Sequence, residues 1–211
     1  MLRAERKQAT RHAIINAALK LSAERGFSSL SLRSVAKEAG IAPTSFYRHF
    51  TTMDELGLAL VDEVGMSLRQ LIRAARRRVA ESGKGSVIRA SLQTFLTNVE
   101  RNENLFRLLL GEGSGSPAHF RHAIAKEVQR FTEDLAEDLI REAEATERPI
   151  AHVHHAAEAM VTVAFNLGAS SIDLPHEERP AVIERIIIEV RMIMRGAQAE
   201  ARHRSSCQST G

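Results

Sequence analysis

The sequence predicts an all-α protein. An N-terminal three-helix helix-turn-helix module spans residues 1–52, a helical bundle spans 53–204, and a flexible tail covers 205–211. Three observations carry this. Ala, Leu, Arg and Glu dominate, and these residues favour helix. Aromatics are 4% of the chain, Trp is absent, and alternating runs of Val, Tyr and Thr are scarce, so little favours strands. Apolar residues recur at helical spacing in almost every segment.

The first helix runs from about Ala4 to Arg25, with Ile14, Ile15, Ala18, Leu19 and Leu21 as its apolar stripe. Gly26 ends it and Phe27 anchors the connection. Ser29 or Ser31 caps a second helix, roughly residues 31–39, whose inward residues are Leu32, Val35, Ala36 and Ala39. Gly40 breaks that helix and Ile41 plugs the turn. A short third helix spans Pro43 to about Phe50. A long helix follows over about Met53–Ala80, with Asp54 and Glu55 at its positive end. Ser82-Gly83-Lys84-Gly85 reads as a turn. Further helices are expected over about Ser86–Glu100, Glu103–Leu110, Ala118–Glu144 and Pro149–Ser171, and a last one to about Arg202. Gly111–Pro117 is a flexible connection, Pro175 and Pro180 bracket a turn or helix start, and the tail should fray.

The net charge of +3 is modest, but its distribution is not even. Residues 1–50 hold nine basic residues against three acids, a local charge of +6, which suits a polyanionic partner. The single cysteine, Cys207, permits no intrachain disulfide and fits a reducing compartment. No secretory leader and no apolar run of membrane-spanning length is read, so a cytoplasmic protein without membrane contact is expected. His152, His154 and His155 lack a Cys or carboxylate at ligating spacing, so no metal is expected. Gly111, Gly113 and Gly115 have neither the preceding strand nor the following Lys-Ser/Thr of a phosphate loop. No nucleophile triad or carboxylate pair stands out. Neither enzymatic activity nor a cofactor is therefore expected.

The informative segment is SLRSVAKEAGIAPTSFYRHF, Ser31–Phe50, which reads as helix, tight glycine turn, helix. With Thr44 at zero and about 100° per residue, Phe46 and Phe50 fall near 200° and 240°. Thr44, Arg48, Ser45 and Tyr47 fall at roughly 0°, 40°, 100° and 300° on the same wheel. Two rings thus face a core and the opposite side carries only hydrogen-bonding groups. Pro43 suits the first helical position. Such a face fits insertion into a groove of double-stranded DNA. Arg48 is the candidate for a guanine edge. Thr44 and Ser45 are placed for bases or phosphate, and Tyr47 and His49 for positioning the backbone. Arg33, Lys37 and the arm residues Arg3, Arg6 and Lys7 offer further phosphate contacts.

These residues resemble the TetR family of bacterial repressors. The likeness lies in Ala13–Leu21, Gly26-Phe27, Leu32–Ala36, Ala39-Gly40-Ile41 and the Phe46–Phe50 ending. Members often carry Ser or Thr where this chain has Ala42. A narrower resemblance, in IAPTSFYRHF, DELGLALVDE, SVIRASLQTF and FRLLLGEGSG, is to the FabR/DesT group of regulators of unsaturated fatty-acid synthesis. It implies a TetR-like fold and control of desaturase or fatty-acid synthesis genes. The implied effector is long-chain acyl-CoA or acyl carrier protein.

The bundle beyond residue 53 is too large for a spacer. Apolar side chains at core spacing include Leu60, Val64, Phe95, Val99, Phe106, Leu110, Phe120, Ile124, Val128 and Phe165, which are candidates for an apolar effector site. Arg73 and Arg76, in a basic stretch with Arg69, Arg77 and Arg78, are candidates for coenzyme A phosphates. The last two helices read as a homodimer interface. Ile183, Ile186, Ile187, Val190, Ile193 and Met194 form one face, and Ala157, Ala164 and Gly168 permit close approach. Ile188 and Met192 widen that face, as expected of a helix buried against two partners. A dimer would match a palindromic operator. An effector wedged against the long helix would change the separation of the two reading heads. A sensor of a drug or other apolar compound stays open on the same features.

Overall fold

A computed structural model describes residues 3–82, 86–103, 106 and 118–208. Among these residues the fold is all helical: α1 (Arg3–Arg25), α2 (Leu32–Glu38), α3 (Pro43–Phe46), α4 (Met53–Ser82), α5 (Val87–Arg101), α6 (Ala118–Thr146), α7 (Val153–Ser170) and α8 (Arg179–Gln208). Two 3-10 turns, Phe27–Ser29 and Ser171–Asp173, complete it. Most of the helix expected at Glu103–Leu110, including Leu110, and the whole Gly111–Pro117 connection lie outside the described residues.

The described residues form two compact units. The first draws on Met1–Leu68 and Asn98–Ile124, the second on Arg69–Thr97 and Ala125–Gly211. Packing therefore does not divide the chain at residues 52 and 53, where the sequence suggested. The reason is that α1 to α3 need further apolar surface to close their core. Leu56, Leu60, Val61 and Val64 of α4 and Phe120 of α6 supply it, packing with Ile14, Ala18, Leu21, Val35, Phe46 and Phe50.

Local chemistry sets the elements of this unit. Ser31, not Ser29, caps α2. Its hydroxyl accepts the Ser34 N–H at 3.2 Å, and the Ser34 hydroxyl accepts the Ser31 N–H at 3.0 Å. Ser29 instead donates to the carbonyls of Arg25 and Gly26. After α2, the Gly40 N–H meets the Lys37 carbonyl at 3.1 Å and the Ile41 N–H meets the Ala36 carbonyl at 3.0 Å. That pair of bonds requires a left-handed residue between, and Gly40 has φ +67°. The third helix is shorter than Pro43–Phe50. Arg48 and His49 bond to carbonyls three residues back, at 3.2 and 2.8 Å, so the chain tightens into turns after Phe46. Thr52 accepts the Glu55 N–H at 3.1 Å and fixes the start of α4.

In the second unit, Leu92, Ala136, Leu139, Ala156, Ala157, Met160, Ile186, Ile187 and Val190 form the core. Carboxylates of α6 answer arginines of α4: Arg69 pairs with Glu127, Arg73 with Asp134, and Arg76 with Asp138. Arg69 also lies over the Phe131 ring, 5.6 Å from its centroid. The spacing 69, 73, 76 keeps these cations on one side of α4. Pro149 precedes helix α7, which begins at Val153, after His152 takes a left-handed φ of 49° and starts a new direction. The Ala151 N–H donates to the Ala197 carbonyl at 3.1 Å, tying this turn to α8. Helix α8 runs on to Gln208, through part of the expected tail.

Candidate nucleic-acid interface and ligand cavity

The Ser31–Phe50 segment presents two unlike sides. Phe46 and Phe50 are buried, with ring centroids 5.8 Å apart. Tyr47, Arg48, Thr44, Arg33 and Lys37 are exposed, Tyr47 at 63%. Ser45 and His49 are half-buried. The Arg11 guanidinium lies over the Phe50 ring at 4.7 Å, bracing α1 against the end of this segment. Lys20 pairs with Glu38 at 2.6 Å and joins α1 to α2 at the surface. Sequence reading did not find either tie, since both join residues distant in sequence.

His49 is less exposed than its neighbours Tyr47 and Arg48. Its Nδ1 is buried and has no hydrogen-bond partner among the described residues. Burial, with the cations of Lys7, Arg11 and Arg48 nearby, holds its pKa below the usual histidine value. With no anion bound, this favours the neutral ring.

The second unit holds a cavity of about 970 Å³. This lies near the top of the roughly 300–1,000 Å³ usual for small-molecule sites. Its wall includes Phe95, Phe131 and Phe165, with centroids 5.4 Å apart for Phe95–Phe165 and 6.1 Å for Phe131–Phe165. Ile72, Leu135, Leu139, Met160 and Val161 add aliphatic surface, and Arg73, Arg76, Arg77, Arg141 and Arg148 add cations.

Of the residues proposed for an effector, Phe95, Phe165, Arg73 and Arg76 line this cavity. Leu110 lies outside the described residues, and the others fall elsewhere. Leu60, Val64 and Phe120 belong to the core of the first unit, because the start of α4 completes that core. Val99 and Phe106 are buried away from the lining, and Ile124 and Val128 are half-buried and likewise absent from it. Helical spacing marks an inward side chain. It does not say whether the interior on that side is filled.

The proposed dimer residues also divide. Ala157, Ile186, Ile187 and Val190 pack inside their own unit. Gly168 faces Phe95: a Cβ there would stand 2.4 Å from Phe95 Cε1. Within the protomer its smallness makes room for this ring. Ala164, Val190 and Met194 line the cavity, and Ile183 and Ile193 are half-buried against the core. The large apolar side chains of α8 that face outward are Ile188 and Met192, 58% and 66% exposed. The i, i+3, i+4, i+7 series in α8 had picked out the inward of two apolar faces.

His152 and His155 stand edge to face at 5.8 Å, and His152 Nε2 lies 2.6 Å from an Arg204 nitrogen. Among the described residues no group of three or more His, Cys, Asp or Glu is arranged to hold a metal ion. No described helix is long and apolar enough to cross a membrane.

A capped helix, a glycine turn and a second helix with an aromatic underside and a polar outside make this a helix-turn-helix protein. The comparisons with known proteins agree and carry this further. The model for bacterial regulatory proteins of the tetR family matches residues 14–60, and that for the tetracyclin repressor-like C-terminal domain matches residues 84–196, more than half of the chain. The chain belongs to the TetR family of transcriptional regulators, whose members bind operator DNA, dimerise and bind small-molecule effectors and are generally not enzymes. Solved structures share its fold. A TetR-family regulator from Mesorhizobium loti has a TM-score of 0.70 at 16% identity, covering 92% of this chain and 97% of its own. The reduced form of NemR from E. coli has a TM-score of 0.68 at 18% identity, over 88% of this chain and 98% of its own. The fatty acid degradation regulator FadR from Bacillus halodurans has a TM-score of 0.64 at 15% identity, over 88% of this chain and 94% of its own.

Proposed function

We propose that this regulator is a dimeric repressor of fatty-acid desaturation and unsaturated fatty-acid synthesis genes, and that long-chain acyl-CoA or acyl carrier protein modulates its operator affinity. One observation carries the effector class: the large apolar cavity of the second unit, with aromatic and aliphatic walls and arginines around it. Burial of an acyl chain there contributes about 0.8 kcal/mol per methylene, enough to select chain length. The FabR/DesT-like segments support the choice of genes. The FadR likeness speaks to fold only.

In this reading Arg48 reads a guanine edge in the major groove of a palindromic operator. Thr44, Ser45, Tyr47 and His49 contact bases or backbone, and Arg33 and Lys37 hold phosphates. Two such heads must meet successive grooves about 34–36 Å apart. Helix α4 supplies Leu56–Val64 to the core beneath one head and Ile72, Arg73 and Arg76 to the cavity wall. A chain lodged against that wall bears on the helix that supports the head.

Native mass spectrometry of the purified protein tests the effector class. The expected result is an acyl species released on denaturation, with restored binding when an acyl-CoA is added back. An aromatic or drug-like mass, together with no acyl-CoA binding after ligand stripping, would identify a different kind of TetR-type sensor.

A further inference from the structure

We propose that Arg77 and Arg148 form the head-group clamp of this cavity, and that its ligand is an apolar chain ending in an anion rather than a neutral lipophile. The inference rests on the ligand-sensing reading above and assigns the cations differently from the sequence. Five arginines line the cavity, but three are already engaged. Arg73 is held by Asp134. Arg76 is held by Asp138 and donates to the Ser91 hydroxyl at 3.0 Å. Arg141 is held by Asp138 and lies 4.0 Å from Glu137.

Recruiting Arg76 to a ligand would take from Asp138, 26% exposed, the less exposed of its two guanidinium partners and leave only Arg141. Weakening such a partly buried pair is unfavourable, because the carboxylate is already partly desolvated. Arg77 and Arg148 carry no such penalty. Both line the same cavity, both are exposed, and neither has a carboxylate at ion-pairing distance among the described residues. The lining also holds Glu137 and Glu142, and two guanidiniums without a paired carboxylate on the same cavity wall fit a carboxylate or phosphate by charge-assisted hydrogen bonds. They would leave a neutral head without a charge partner.

A purely structural account exists for their positions. Arg148 lies just past the end of α6, where it answers the negative end of that helix, and Arg77 is a solvated residue of α4 short of its last turn. That role predicts an effect on stability and none on head-group preference.

The test is calorimetric binding to the ligand-stripped protein, using dodecanoyl-CoA, dodecanoate and methyl dodecanoate. For the Arg77→Gln/Arg148→Gln variant, binding of at least one anionic ligand should weaken by about tenfold or more, while the neutral ester is unchanged. Equal loss for both anions points to any anionic head, and loss for dodecanoyl-CoA alone points to the phosphates of coenzyme A. Arg73→Gln should lower the melting temperature and leave the preference for anions intact. If wild-type protein binds the ester as well as the anions, or the double variant weakens all three equally or none, the clamp is refuted and acyl sensing stands. If wild-type protein binds none of the three, nor their hexadecanoyl counterparts, acyl sensing falls and the clamp with it.

Discussion

Arg48 stands outward between two buried rings, Phe46 and Phe50. Its exposure predicts a clean separation of roles. Arg48→Ala should cost about 1–3 kcal/mol of discrimination at one base pair and leave the thermal unfolding curve unchanged, which competition between operator variants would measure. His49 makes the complementary prediction. Its pKa is held below the usual value, first by burial and then by Lys7, Arg11 and Arg48. As pH falls below about 6.5, the unfolded chain takes up this proton before the folded one does, so stability declines until the folded pKa is reached. Urea titrations across that range should show a shallower decline for His49→Gln than for the native chain. An identical slope would mean that His49 titrates normally. At this scale the sequence was informative about Phe46, Phe50 and Arg48, because about 100° per residue fixes which side each takes. It was silent on the buried Nδ1, which depends on how tightly the turns after Phe46 wind.

Elements were legible where their signals are local. Ser31, Gly40 and Pro43 fix a cap, a left-handed stop and a helix start through bonds spanning five residues or fewer. Helix α7 was less so, since its start follows from His152 in a left-handed conformation and from a hydrogen bond to Ala197, far along the chain. Gly168 shows the same limit. A small residue on an apolar helix suits another helix or a ring equally, and here it seats Phe95. Gly168→Ala should destabilise by about 1–3 kcal/mol through overpacking. It should also drive Phe95 toward the cavity, so the longest acyl chain accepted would shorten. Unchanged stability and chain preference would show that the ring has room elsewhere. On α8, Ile188 and Met192 remain uncovered within one protomer. Replacing both by Asp should convert the dimer to a folded monomer in light scattering at micromolar concentration. A variant that stays dimeric would place the interface on another face.

For the molecule as a whole, the N-terminal charge excess and the helix-turn-helix pattern announced a DNA-binding regulator from sequence alone. The sequence suggested an apolar effector site in the bundle but not most of its lining, because Phe131, Leu135 and Met160 have the spacing of ordinary core residues. Only their arrangement around an unfilled volume distinguishes them. If ligand and operator are linked through α4, their effects are reciprocal: whatever factor the ligand applies to operator affinity, the operator applies to ligand affinity. The most direct measurement is operator binding by fluorescence anisotropy, on a site selected from random DNA, with the stripped protein and a series of acyl-CoA chain lengths. The account predicts a shift in operator affinity of roughly 5- to 150-fold at one preferred chain length, matched by an equal shift in acyl-CoA affinity when operator is present. Operator affinity that is the same with every chain, at concentrations that saturate the cavity, would contradict it.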